Sequence, residues 1–288
     1  GKWMAEFKYM YMNMEGMRHG TQSLSAAQVF AQSGVPVVPI DMNMDMYMGH
    51  VMYGLTDDIT LYTMFMWTEL SMDHIVNPAL TTRFRAENSD FDDMRVGALL
   101  RLCECDNSLW IGHLGLSLPT GDIGQRIGPG VPPAGQVFPY PMRTGEGHVS
   151  AIPGLTYKRW NDCGSMGAQV MSVIPLHENY RQYKEGVEVR VNWWVARLVH
   201  DNLSVSFRAE GYWRDNIDGR DPQANAPVTT NRVDYQGRTN VNLYYGVNRT
   251  LCGGNRLALE VGHPVFQDVR GYQLEQDFFL FTSWSKGF

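Results

Sequence analysis

The sequence predicts an all-β fold, a transmembrane antiparallel β-barrel of about twelve strands, on three observations. Segments of about ten residues alternate apolar and polar side chains, and successive side chains of a strand point to opposite faces. Short and long connections alternate between these segments, as periplasmic turns and extracellular loops do in outer-membrane barrels. No run of about 18 apolar residues is present, so no helix in the sequence can span a bilayer. We expect residues 1–288 to form one outer-membrane barrel domain.

The alternation is clearest between residues 203 and 214. Apolar residues such as Val205 and Phe207 occupy every second position, and Arg208 and Glu210 lie between them. A barrel with a polar interior turns its apolar face outward, whereas a soluble sandwich buries that face. The alternative, a soluble β-sandwich or lectin-like fold, would have to expose Arg208 and Glu210. We expect the apolar band to face lipid and to include Val187, Val189, Val191, Trp193, Val205, Phe207, Leu243 and Tyr245.

Twelve segments carry the strand pattern: 2–14, 39–54, 58–72, 91–104, 107–118, 147–159, 166–177, 185–199, 203–214, 236–249, 255–263 and 276–288. The short connections are 55–57, 105–106, 160–165, 200–202 and 250–254. The long connections contain clusters of Gly, Pro, Asn and Asp and cover 15–38, 73–90, 119–146, 178–184, 215–235 and 264–275. An even number of strands with a long first loop places both termini on the short-turn side, in the periplasm.

The two ends of the chain fit this topology. Gly1 is followed at once by strand-like sequence, so we interpret the chain as processed or trimmed. Phe288 ends an amphipathic strand, and a C-terminal aromatic residue resembles the assembly signal of outer-membrane barrels. Aromatic rings with a polar group favour the headgroup level of a bilayer. We therefore expect a periplasmic interface at Trp3, Tyr53, Trp110 and Phe288, and an outer one at Trp67 and Trp213.

Methionine is concentrated before residue 73, where most of the 17 methionines recur at every second position. Thioether sulfur is a soft ligand that suits Cu(I) and similar ions. Methionines on adjacent strands would therefore form a stepping path for copper or silver. The predicted metal ligands are Met10, Met12, Met14, Met42, Met44, Met46, Met48, Met64, Met66 and His50. The alternative is that these flexible side chains only fill gaps in packing.

Parity indicates which way two of the three methionine rows face. The row on the first segment shares its face with Lys8, and the row on the third shares its face with Thr68, so both should be luminal. The row on the second segment stays open. The row faces lipid if Asp41 and Asp45 point inward, and it faces the lumen if those carboxylates project above the membrane.

All four cysteines, Cys103, Cys105, Cys163 and Cys252, fall at predicted periplasmic turns. We expect a disulfide that joins neighbouring turns, for instance Cys105 with Cys163, rather than a metal site. The Cys-x-Cys spacing of Cys103 and Cys105 matches zinc sites poorly. Four cysteines allow three full pairings, and the spacing does not choose between them.

Charged residues of both signs share the inward parity: Lys8, Arg95, Arg101, Glu188, Arg190, Arg208, Glu210, Arg256 and Glu260. Mixed signs predict a narrow, salt-bridged lumen rather than a wide channel of one sign. The net charge is -6 and no basic stripe is present, so we expect no nucleic-acid partner. No hydrolase, metalloprotease or phosphate-loop motif occurs, so we expect no enzyme and no required cofactor. An outer-membrane hydrolase would have to use a serine with His113 or His148.

Four stretches resemble a known family: YMYMNMEGM (9–17), DMNMDM (41–46), GLSLPTG (115–121) and LEVGHPVFQD (259–268). They are similar to bacterial outer-membrane transporter-like barrels named after a meta-pathway of phenol degradation, over essentially the whole chain. The resemblance implies a barrel with a transport-like role, supplies no catalytic residues, and favours metal association of the methionine-rich strands.

Three alternatives stay open for what the barrel handles. They are soft metal ions such as copper or silver, small aromatic or apolar molecules, and no substrate, with the barrel as an anchor for a periplasmic or lateral protein partner. Luminal methionines with bound metal would favour the first, and an aromatic-lined pocket without metal would favour the second. A sealed lumen with an extensive protein interface would favour the third.

Overall fold

The computed structural model describes residues 1–76, 82–131 and 134–288; residues 77–81 and 132–133, within the predicted loops 73–90 and 119–146, lie outside the described part. Within it lies one α-helix, α1 (Ala26–Ser33). The strands are β1 (Trp3–Gly20), β2 (Gln22–Leu24), β3 (Val37–Gly54), β4 (Ile59–Val76), β5 (Thr82–Phe91), β6 (Met94–Cys105), β7 (Ser108–Leu118), β8 (Ser150–Asn161), β9 (Gly164–Pro175), β10 (Tyr183–Lys184), β11 (Glu188–His200), β12 (Leu203–Arg214), β13 (Asp218–Gly219), β14 (Arg238–Thr250) and β15 (Asn255–Gly287).

Eleven strands form one closed antiparallel ring in the order β15, β14, β12, β11, β9, β8, β7, β6, β4, β3 and β1, and β1 pairs with β15 to complete it. β15 reverses direction near Gly271, where φ is +67°. Its first half pairs with β14 and its second half with β1. The indole N–H of Trp284 donates to Asn255 Oδ1 at 3.1 Å, so the two ends of β15 lie side by side. The wall therefore contains twelve passes, consistent with the predicted number.

The wall is taller on one side. β1, β3 and β4 are each 18 residues long, whereas β6 to β9, β11, β12 and β14 are 11 to 13 residues long. β6 pairs with β4 up to Met64, and β5 continues the pairing from Trp67 upward. Asp92 and Asp93 interrupt what would otherwise be one strand. From Tyr47 toward the long-loop end, the outward face of this tall side changes from apolar to acidic and amide side chains.

Short turns at one end alternate with longer connections at the other, as predicted, but two of the predicted long loops differ in the structure. The predicted loop 264–275 is wrong, because β15 runs through it and only reverses direction near Gly271. Pro264 lies at a β-bulge opposite Asn242, where a missing N–H is tolerated within a strand. The predicted loop 73–90 is also mostly strand, since β4 extends to Val76 and β5 begins at Thr82.

The predicted apolar band lies on the outer face of the ring. Val191, Trp193, Val205 and Tyr245 are exposed, while the alternating position Glu210 is buried. Eleven strands close into one ring instead of stacking as two sheets, so the β-sandwich alternative is wrong. The outer surface is therefore the apolar one.

Aromatic side chains cluster at two heights of this surface. Near the short turns, Trp3 packs on Tyr53 with ring centroids 4.5 Å apart, and the Phe288 backbone N–H donates to the Trp3 carbonyl at 2.8 Å. Higher up, Trp67 meets Phe91 edge-on at 5.0 Å. The two groups of aromatic residues lie at different heights along the strands, in the predicted order. That these two levels coincide with the bilayer interfaces stays a prediction.

The apolar core lies inside the upper part of the ring, under α1. A capping box between Ser25 and Gln28 starts this helix. It buries Val29 and Phe30 in a cluster with Met14, Met17, Val38, Met42, Leu70, Met72, Ile75, Ala86, Ile127, Phe138, Met142, Tyr272 and Leu274. No helix of the described residues is long and apolar enough to cross a membrane.

Candidate functional site

A cavity of about 720 Å³ lies inside the ring. Its lining comes from two unlike parts of the wall. β1 and β3 contribute methionines, whereas β11, β12 and β14 contribute charged residues and tyrosines. The interior therefore combines a sulfur-rich apolar surface with a polar surface of both charges.

The predicted metal ligands all lie on the inward face of three neighbouring strands. The register places them directly opposite one another as Met10–Met46, Met12–Met44, Met14–Met42, Met48–Met66 and His50–Met64. The row on β3 therefore faces the lumen. Asp45 and Asn43 face outward, where they accept hydrogen bonds at 2.5 Å from the hydroxyl groups of Tyr9 and Tyr11. Metal binding by these residues stays a prediction.

His50 lies nearer the short turns than the cavity. Its Nδ1 atom is 3.0 Å from Oε2 of Glu6, and Met64 is its neighbour on β4. Within the described ranges, no group of three or more His, Cys, Asp or Glu side chains is placed to hold a metal ion. The donor set that distinguishes this interior is thioether sulfur.

Arg208 is at the centre of the charged wall. Its guanidinium donates to Glu260 through Nε at 3.0 Å and Nη2 at 2.5 Å, and it lies 3.7 Å from the ring centroid of Tyr244. Buried Glu210 accepts from Asn242 at 3.0 Å and from the Tyr244 hydroxyl at 3.1 Å. These contacts confirm the predicted salt-bridged character of this wall.

Basic groups slightly outnumber acidic ones in the cavity lining. The basic residues are Lys8, Arg95, Arg143, Arg190, Arg208, Arg214 and Arg238, and the acidic ones are Asp92, Glu146, Glu185, Glu188, Glu210 and Glu260. Arg238 donates to the side-chain oxygen of Gln273 at 2.9 Å and to the carbonyl of Leu274 at 3.1 Å. Predicted luminal Arg101 and Arg256 lie outside the lining; Arg101 instead pairs with Asp58 at 2.9 Å.

The long connections fold over the ring as a cap, which buried ion pairs hold together. Arg143 and Asp221 have side chains 2% and 1% exposed and lie 3.0 Å apart. Arg181 also contacts Asp221, at 3.1 Å. Arg143 donates to the Tyr183 hydroxyl at 3.0 Å and lies 4.6 Å from the ring centroid of Tyr140. Three separate connections are therefore joined at Asp221.

A second polar cluster lies where the 119–149 connection leaves and rejoins the wall. Buried Asp93 accepts backbone N–H bonds from Gly121 and Glu146, both at 2.8 Å. Burial raises the pKa of Asp93 to about 6. Burial and the nearby carboxylates of Glu185 and Glu188 raise the pKa of Glu146 to about 8, so Glu146 is mainly protonated at neutral pH.

The two histidines considered for a hydrolase have structural partners. His148 Nδ1 lies 3.1 Å from the Ser150 hydroxyl, but both side chains are fully buried. Its Nε2 accepts the Glu185 backbone N–H at 3.1 Å, and burial lowers the pKa of His148 to about 4. His113 contacts Thr156 at 2.8 Å rather than a serine. Both histidines therefore connect neighbouring parts of the structure through hydrogen bonds.

Glycines let large inward side chains lie flat against the wall. The Tyr62 hydroxyl crosses Gly97 and Gly115, where added Cβ atoms would lie 2.6 Å and 2.3 Å from it. Trp194 lies over Gly167 in the same way, with 2.2 Å to an added Cβ. The rings are thereby kept out of the centre of the lumen.

The predicted disulfide is wrong: the four cysteines, all within the described residues, are free and exposed. Cys103 and Cys105 lie close, with sulfurs 3.7 Å apart, because alternate residues of β6 share a face. Each of the other two cysteines lies at a different turn, Cys163 between β8 and β9 and Cys252 between β14 and β15.

Sequence reasoning missed the residues that close the cavity from above. Arg143, Glu146, Glu185 and Asp221 lie in connections or next to them, where no alternating pattern gives a facing. Arg214 was visible as the last inward position of a predicted strand. For the missed residues, the available signal was the presence of charged residues in or next to connections rich in glycine and proline.

Fold and cavity together define a hollow antiparallel β-barrel. No protein-family model matches the chain, and no curated protein matches its sequence. An outer membrane channel from Pseudomonas putida F1 matches 100% of this chain and 96% of its own, with a TM-score of 0.68 at 12% identity. The transport unit of the autotransporter AIDA-I from Escherichia coli matches 99% of this chain and 88% of its own, with a TM-score of 0.51 at 8% identity. These matches show a shared fold, and the family resemblance stays a prediction.

Proposed function

We propose that this chain is an outer-membrane channel for small solutes. The cavity of about 720 Å³ inside a closed wall carries the proposal, together with the apolar outer face. Charged groups inside and apolar groups outside are the arrangement that a bilayer stabilises in a barrel. The solved barrel from Pseudomonas putida F1 with this fold is an outer membrane channel, which supports the same location here.

The lining indicates what kind of solute would pass. Paired charges such as Arg208 and Glu260 leave only a small excess of positive charge, so selection by charge should be weak. Charged residues and tyrosines contact polar parts of a solute, and the methionine wall contacts apolar or soft parts. Size should therefore decide passage more than net charge.

The cap controls access from the long-loop end. Its connections converge on Asp221, which is buried with Arg143 and Arg181. Breaking a buried ion pair leaves an uncompensated charge and favours opening. Solute entry in this proposal requires the cap to move away from that contact.

Liposome swelling with arabinose and glycine tests the channel. Wild type should swell liposomes more than protein-free controls, and Asp221→Ala should swell them faster because the cap is released. Asp218→Ala is the matched control, since Asp218 forms an exposed pair with Lys184. Entry of glycine without arabinose would restrict the channel to solutes smaller than a pentose. Lack of entry of any solute through either protein would overturn the proposal and favour an anchoring barrel with a protein partner.

A further inference from the structure

Methionine is confined to one face of the tall side of the wall. β1, β3 and β4 contain 13 of the 17 methionines. Twelve of them share the inward parity, and Met17 is buried beyond the irregularity at Gly16. The outward apolar positions of these strands carry Trp, Phe, Tyr, Val, Leu, Ile and Ala. Methionine is therefore segregated to the inward face of these three strands.

The inward methionines form successive rows across the strands. Met10 lies opposite Met46, and Met12 lies opposite Met44 in the next row. Opposite residues of an antiparallel pair have Cβ atoms about 5 Å apart. Rows two residues apart are separated by about 7 Å. Four thioethers on flexible side chains can therefore converge on one ion between the rows.

Exposure distinguishes these four methionines, which are all partly buried, from the methionines that are fully buried in the core. Met14, Met42 and Met72 are buried in the core cluster that includes residues of α1, and Met12 and Met44 lie at the edge of that cluster. Met10 and Met46 are only half-buried, and all four residues of the quartet line the cavity. The amide of Gln276 lies 3.5 Å from the Met12 sulfur, a polar contact within the lumen.

We propose that Met10, Met12, Met44 and Met46 form a binding site for a soft monovalent metal ion, Cu(I) or Ag(I), and that this ion is a substrate of the barrel. The proposal rests on the proposed channel function. Thioethers are neutral soft donors that suit Cu(I), and Ag(I) is a similar soft ion. They do not have to lose a proton to bind, unlike thiols and imidazolium groups. Binding should therefore change little between pH 5 and 8.

Ag(I) titration of the full chain tests the site, in a background with the four exposed cysteines changed to serine so that thiols do not compete. Wild-type methionines should give saturable binding, with sulfur alone as the ligand in X-ray absorption spectra. Changing the quartet to leucine should weaken binding about 10-fold or more, because each change removes a donor but keeps an apolar side chain. The matched control is Met166→Leu, since Met166 is exposed on the outer face.

Equal Ag(I) affinity in the quartet variant and wild type would overturn the metal site. Heat-dependent gel mobility checks that the variant is folded. If the quartet variant does not fold, two double variants are used instead: Met10→Leu with Met46→Leu, and Met12→Leu with Met44→Leu. Unchanged Ag(I) affinity in both double variants would also overturn the metal site. Liposome swelling with arabinose separates the two proposals. If the quartet variant still swells liposomes but binds Ag(I) as wild type does, only the metal site is rejected. If wild type binds Ag(I) but does not swell liposomes, only the channel is rejected.

Discussion

The Oδ2 atom of Asp93 accepts a hydrogen bond from the backbone N–H of Glu146 at 2.8 Å, and Oδ1 accepts one from Gly121 at the same distance. One buried carboxylate thus ties both ends of the 119–149 connection to the wall. Asp93→Ala leaves two partly buried backbone N–H groups without acceptors, at a cost of up to about 1–3 kcal/mol each. We expect faster hydrogen exchange throughout the connection, with Asp106→Ala at an exposed turn as control. Unchanged exchange in Asp93→Ala would show that other contacts hold the connection.

Asp221 should be the most sensitive carboxylate of the cap. Asp221→Ala leaves Arg143 buried without its partner, which typically costs about 3–5 kcal/mol. Asp218→Ala removes an exposed pair with Lys184 and should cost about 0–1 kcal/mol. Urea unfolding in detergent measures both. Similar midpoints for the two variants would contradict a structural role for the buried pair.

Glu146 should make stability depend on pH. The folded protein holds this proton up to about pH 8, whereas the unfolded chain releases it near the ordinary value of 4.5. The unfolded state therefore binds fewer protons between these values, and the free energy of unfolding falls as pH rises through that window. Glu146→Gln removes this contribution. We expect the variant and wild type to be similar at pH 4, and the variant to become progressively more stable up to about pH 8.

Paired urea titrations at pH 4, 6, 8 and 9 check this expectation. Asp93 changes stability in the same direction, but it is present in both proteins and cancels in the difference. The slope of that difference is limited to about 1.4 kcal/mol per pH unit for one proton. A difference that is constant across the range would disprove the assignment of the proton to Glu146.

Gly115 should control lumen width through Tyr62. An added Cβ at Gly115 would lie 2.3 Å from the Tyr62 hydroxyl, and the next closest atoms are 3.4 Å away. Gly115→Ala should therefore displace the ring into the lumen and slow arabinose entry, with a stability cost of about 1–3 kcal/mol. Gly49→Ala is the control, because no atom lies within 4 Å of a Cβ there. Equal swelling rates in the two variants would show that Tyr62 does not narrow the path.

The exposed cysteines report orientation in the membrane. Cys103, Cys105, Cys163 and Cys252 all lie at or next to short turns. We expect a membrane-impermeant maleimide to leave intact cells unlabelled and to react once the outer membrane is permeabilised. A cysteine introduced in the 119–149 connection at Gly128 should show the opposite pattern. Labelling of the native cysteines in intact cells would reverse the orientation.

The sequence predicted the ring well where one face is strongly polar. Arg208 and Glu210 fixed the facing of β12, and their partners lie where parity placed them. The row from Met42 to Met48 could not be placed by the same rule, because Asp41, Asn43 and Asp45 make the opposite face polar as well. Only the register with β1, which pairs Met46 with Met10, resolves that facing.

The sequence did not predict the cap or the reversal within β15, and the physical reasons differ. Pro264 and Gly271 are loop-forming residues, yet one lies at a bulge and the other at a tight reversal within β15. The contact between Arg143 and Asp221 joins two aperiodic connections that are distant in sequence. A pattern of alternating residues describes strands and carries no information on how such connections meet.

The pairing of β1 with the second half of β15 has a consequence for biogenesis. Every other junction of the ring joins passes that are consecutive along the chain, so each can form once its two strands and the connection between them have been made. The junction between β1 and β15 must wait until the last strand has been made. Until then β1 offers a bare edge that another polypeptide could extend by strand addition. A nascent chain of this kind therefore benefits from a chaperone or insertion machine that shields that edge until the cylinder is sealed.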